Sequence, residues 1–126
     1  MRVLTRKLEE MKIKVSEATN LQLDWAVAHC QNRQFGTEQY VVGVAGEDGT
    51  YYNPSTNWAQ AGPIIEKEKI GILFYVDHIP DDADEPIWVA SCGGERALGD
   101  TPLIAAMRCY VILELDNEID IPEELK

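Results

Sequence analysis

Basic residues are scarce in this chain: 11 Lys and Arg stand against 22 Asp and Glu, for a formal net charge of −11. A surface of that sign repels phosphate backbones, which argues against direct nucleic-acid binding. Histidine occurs twice, at His29 and His78. No Cys or His sits at zinc-site spacing, and Asp81, Asp82 and Asp84 lack the central Gly and terminal Glu of a calcium loop. No metal and no cofactor is therefore expected. Cysteine is limited to Cys30, Cys92 and Cys109. The number is odd and the spacing wide, which predicts packed, reduced thiols rather than a disulfide framework. No apolar run approaches the ~20 residues that span a bilayer. The charged start MRVLTRKLEE leads into no signal-peptide core, so a cytoplasmic protein is expected. G-x-S-x-G, P-loop and G-x-G-x-x-G patterns are all missing. Cys92 has Arg96 nearby but no histidine predictably close, so nothing in the sequence supports an enzyme.

Apolar residues make up 45% of the chain, enough for a real core. The most apolar stretch is Thr101 to Leu115, TPLIAAMRCYVILEL, where Arg108 is the lone charge from Pro102 to Leu113. A helix apolar all round is a buried helix. Thr101 suits its N-cap and Pro102 its first turn. Ser16 to Asn32 predicts a second core helix, capped by Thr19 or Asn20, with Leu23, Ala26, Val27 and Cys30 on one face and Asp24 as its only charge from Leu21 to Ala28. Trp25 reads as core, with its indole N–H seeking a partner. Met11 to Val15 alternates as a half-buried strand. Gln39 to Gly46 and Tyr51-Tyr52 flank an Asp48-Gly49 hairpin signal. Asn53 to Gly62 reads as a loop, and Pro63 opens a short helix to Lys69. Ile70 to Asp77 predicts a buried strand with Ile87 to Cys92 as its partner, across a polar, mobile loop from His78 to Pro86. Gly93 to Asp100 reads as a flexible connector, and Glu118 to Lys126 as an acidic tail anchored by Ile119, Ile121 and Leu125. The expected fold class is α+β: a small antiparallel sheet built from hairpins, packed with two core helices, in one domain over residues 11–126 after an N-terminal extension, residues 1–10.

Two places carry candidate chemistry. Arg108 pairs with Asp24, or it lies at the floor of a pocket and binds a carboxylate or phosphate bidentately. The segment around Trp58 sets Tyr52 and Trp58 beside Ser55, Thr56, Asn57 and Gln60, a mixture of aromatic faces, amides and hydroxyls that suits a planar polar ligand. The bland alternative is a long connection held by its own hydrogen bonds.

Two phrases, PSTNWAQAGPIIEKEKI (Pro54 to Ile70) and TPLIAAMRCYV (Thr101 to Val111), resemble the NinX-like family of small phage and prophage proteins. MKIKVSE at Met11, LDWAVAHC at Leu23 and IPEEL at Ile121 extend the likeness, while Gly71 to Gly99 departs most from it. Family members begin near MKIKVSE, which accords with an N-terminal extension. The resemblance implies a phage accessory protein made inside a bacterial host. With it, Arg108, Trp58, Asn57, Gln60, Thr56, Ser55, Tyr52 and Thr101 form the expected ligand-binding set. The expected ligand is a small anionic, nucleotide-like host molecule such as an immune signal, sequestered rather than turned over. The alternatives are an acidic inhibitor that binds a host enzyme, and, less favoured, a small-nucleotide hydrolase. A homo-oligomer and a host protein are partners the sequence leaves open. Nucleic acid and membrane are not expected.

Overall fold

The computed structural model of the chain describes residues 10–36, 39–43, 45, 49–76 and 86–125. The helices form where the sequence supplies caps. α1, Asn20–Phe35, opens on a complete capping box: the Thr19 hydroxyl accepts from Gln22 N–H at 3.2 Å and the Gln22 side chain accepts from Thr19 N–H at 3.0 Å. It closes on Gly36 in the left-handed region. α3, Pro102–Glu114, has Thr101 as N-cap and Pro102 in its first turn, as expected, and buries Leu103, Ala105, Ala106, Met107, Cys109, Tyr110 and Val111.

α2 differs from its expected start. It runs Trp58–Glu68 rather than from Pro63, because Asn57 caps it through the Ala59 N–H at 2.9 Å. Pro63 is tolerated inside the helix at a solvent-exposed position, where its missing N–H removes one helical bond. Ala61 and Ile64 face the core, with Ile65 half-buried.

The strands form two antiparallel sheets, which with the three helices make an α+β fold. β1, Glu10–Lys14, pairs with β5, Glu118–Pro122, so the expected acidic tail begins as a strand, and its expected anchors Ile119 and Ile121 are buried. Lys12 lies directly across from Asp120, with an ion-pair distance of 3.4 Å between two exposed side chains. The second sheet has the order β2–β3–β4, from Gly71–Val76, Pro86–Cys92 and Glu95–Gly99. Here the expected connector is corrected: Gly93-Gly94 is a tight turn, and Glu95–Gly99 is its return strand. β2 is also not buried as expected. Among the described residues it is an edge strand, with Leu73, Phe74 and Tyr75 all about half exposed or more.

α3 lies across the inner face of this sheet, where Ala90, Cys92, Ala97 and Gly99 are small enough to admit it closely. A methyl group on Gly99 would fall 2.5 Å from the Ala105 backbone nitrogen. α1 packs on α3 from the other side, and both contribute to one continuous core.

The hairpin expected over 39–52 does not form in its described residues. Asn32 takes the place of a strand partner: its Nδ2 donates to the Tyr40 carbonyl at 2.8 Å and its Oδ1 accepts from Tyr40 N–H at 2.9 Å. The Asp48 half of the turn signal, the loop from residue 77 to 85 with its acidic cluster, and residues 1–9 of the extension lie outside the described residues. Among the described residues, no helix is long and apolar enough to cross a membrane.

Candidate functional site

Asp24 and Arg108 do not form the ion pair that their isolation on two apolar helices suggested. The Asp24 carboxylate is buried on α1 and accepts from the Ser55 N–H at 2.8 Å. Burial pushes its pKa up, and the Ser55 amide pulls the other way. Arg108 donates from Nη1 to the Leu98 carbonyl at 3.0 Å and from Nη2 to the Ala18 carbonyl at 3.2 Å, while its Nε is buried without a partner. Burial lowers its pKa and Asp100 acts in the opposite sense. The guanidinium is a brace between β4 and the turn before α1. Counting lone charges missed this because backbone amides and carbonyls satisfy charged side chains as well as opposite charges do.

Asp24 yields a signed prediction. Its folded pKa is raised above the ordinary 3.8. Its contribution to stability is therefore complete below the unfolded value and declines as pH rises through the folded one. Asp24→Asn keeps an oxygen for the Ser55 amide and removes the charge. The variant should match the wild type in acid and gain on it toward neutral pH, measured by urea unfolding across pH. A variant that loses ground as pH rises would contradict the assignment.

The amide side chains around Trp58 are engaged mainly with the segment's own backbone. Gln60 accepts from Asn53 N–H and donates to the Tyr51 carbonyl, both at 2.6 Å. The Asn57 oxygen caps α2, the Thr56 hydroxyl accepts from Asn53 Nδ2 at 3.3 Å, and Ser55 is buried with its Oγ unpartnered among the described residues. Tyr52 is half-buried, with its ring 4.6 Å from that of Tyr40. The Thr101 hydroxyl accepts from Ile104 N–H at 3.1 Å. Trp58 itself is 56% exposed. These bonds and those of Arg108 share no residue.

A cleft of about 640 Å³ opens elsewhere, along the outward face of α1. Trp25, His29, Asn32 and Arg33 form its floor. Their spacing of three and four residues places them on one helix face. Indole and imidazole lie stacked, with centroids 5.1 Å apart and 7° between planes. Desolvation, and then Arg33, hold His29 below its ordinary range, so the stacked imidazole is neutral at neutral pH. Tyr40, Val41 and Val42 form one wall; Pro122, Glu124 and Leu125 form the other. α1 holds both walls by amide side chains. Asn32 fixes Tyr40, and Gln22 Nε2 donates to the Leu125 carbonyl at 3.1 Å. Trp25 is thus half-buried: it packs against the core, as expected, and also lines the floor of the cleft. The signal for this site was present in the sequence as planar side chains at 25, 29 and 33, an i, i+4, i+8 ladder.

The thiols are free and buried. Burial pushes Cys30 and Cys109 up to about 12 and raises Cys92, so none is a poised nucleophile at neutral pH. Among the described residues no cluster of three or more His, Cys, Asp or Glu could hold a metal.

A family model described as "Bacteriophage P22, NinX" matches residues 14–114. No curated protein matches the chain.

Proposed function

The chain belongs to the phage P22 NinX family, and on that premise we propose that it is a non-enzymatic binding protein that sequesters a small, planar, anionic host molecule of nucleotide type in the cytoplasm of the infected bacterium. The observation that carries this reading is the Trp25–His29–Arg33 ladder on the floor of the α1 cleft. A flat heterocycle stacks on an indole or imidazole face, and a guanidinium grips phosphate oxygens bidentately. Glu124 on the facing wall suits the amino edge of a base, since a carboxylate only accepts. The volume falls in the usual ~300–1,000 Å³ of small-molecule sites. Buried thiols with raised pKa values agree with a binder that does no covalent chemistry.

The test is thermal unfolding against a panel of mono-, di- and cyclic nucleotides. At a hundredfold excess over Kd, a ligand specific to the folded state adds about 2.7 kcal/mol, a rise in Tm on the order of 10 °C. Trp25→Ala and Arg33→Gln should abolish the rise, and ligand released by heat should be recovered intact. A panel without any shift sinks the reading. A shift lost in Trp58→Ala but kept in Trp25→Ala would move the site to the start of α2. Conversion of the ligand would make the protein an enzyme.

A further inference from the structure

The β2–β3–β4 sheet treats its two edges differently. At the β4 edge, Arg108 occupies the Leu98 carbonyl and ties it to Ala18. At the β2 edge, no strand among the described residues pairs on the outer side. Natural edge strands are blunted by charge, proline or a bulge. β2, GILFYV, has neither charge nor proline and pairs with β3 residue for residue. Leu73, Phe74 and Tyr75 are 63%, 49% and 47% exposed. Leu73 also starts a cross-strand row, Leu73–Val89–Leu98, on the sheet face opposite α3.

We propose that β2 pairs antiparallel with β2 of a second copy about a two-fold axis, joining the two sheets into one. Charge selects the occupant. At −11 overall, copies repel one another over most of their surface. β2 and β3 carry no charged residue, and β4 only Glu95 and Arg96, of opposite sign, so the paired strands themselves set no like charges against each other. A basic partner would be drawn to the carboxylates elsewhere, whereas a two-fold axis presents this uncharged edge to itself. At roughly 150–250 Å² for a whole aromatic side chain, the exposed halves of Phe74 and Tyr75 supply about 200 Å² per copy. With Leu73 and the strand backbone this makes a small interface, of the class below ~1,200 Å² that suits a weak, concentration-dependent pair.

Light scattering on the full chain across a dilution series tests this. The expected result is twice the 14.2 kDa protomer mass at high concentration, falling on dilution. Leu73→Lys with Tyr75→Lys changes exposed positions only, so the far-UV spectrum should stay the same while self-association weakens about tenfold or more. Single cysteines at Leu73 or Phe74 should give an oxidised, reductant-sensitive dimer, and one at Trp58 should not. A monomer at every concentration, or a dimer indifferent to the lysines, overturns the proposal.

Discussion

Gly99→Ala should destabilise the fold by about 3 kcal/mol, the upper part of the usual cost of overpacking. The added methyl would lie 2.5 Å from Ala105 N, 2.9 Å from Ala105 Cα and 3.0 Å from the Ile104 carbonyl carbon. All three are backbone atoms in the first turns of α3, so no rotamer change relieves the contact. Relief requires β4 and α3 to move apart, and with them Ala97 and Ala106 on either side of the seam. Domains of this size melt about 4–8 °C lower per kcal/mol, so the midpoint should fall by more than ~10 °C. Gly62→Ala is the control. It lies inside α2 with nothing within 4 Å of the new methyl and no positive φ. There the substitution should be neutral or stabilising by up to about 1 kcal/mol. If the two alanine variants melted together, the close β4–α3 approach would be wrong.

Tyr110→Ala should cost still more, about 3–5 kcal/mol for removing a buried aromatic ring. Tyr110 is fully buried on α3 and is the largest side chain so placed among the described residues. Its hydroxyl accepts from Gln31 Nε2 at 2.6 Å and donates to Gln34 Oε1 at 3.3 Å, so it fastens α3 to the last turns of α1. Tyr110→Phe separates the two parts. It keeps the ring and strands the buried Gln31 amide, at a cost of about 1–3 kcal/mol. Urea unfolding of both variants gives the comparison. A Phe variant as damaged as the Ala variant would assign the whole effect to the hydrogen bonds, against the burial argument.

The two core helices were legible because their signals are local. Thr101-Pro102 and the Thr19–Gln22 box mark starts within a few residues, and an unbroken apolar surface marks α3 as buried. What escaped depends on partners distant in sequence. Nothing near Tyr40 says that its backbone will bond Asn32 instead of a strand. The Glu95–Gly99 strand is too short, and too marked by glycine, to show alternation. Asn57 gave α2 an earlier start than Pro63 did, since a proline announces a helix only when it stands in the first turn. The candidate site divided in the same way. Residues 53–60 are visibly polar and aromatic in sequence, but their hydrogen bonds close on the segment itself and on Asp24 of α1. The α1 ladder is hidden in the sequence because the bulk of Trp25 points it to the core, while the cleft above it is shaped by walls distant in sequence, 40–42 and 122–125.

β1 and β5 pair strand to strand although more than a hundred residues separate them. During synthesis at ~5–20 residues per second, β1 emerges many seconds before its only described partner exists. Met11 and Ile13 must wait uncovered for Ile121 and Ile119 through that interval. The smaller sheet can therefore close only once β5 has been synthesised. Slow substitutions in β5 should lengthen the time a nascent chain needs chaperone protection without altering how α1, α3 and the larger sheet come together.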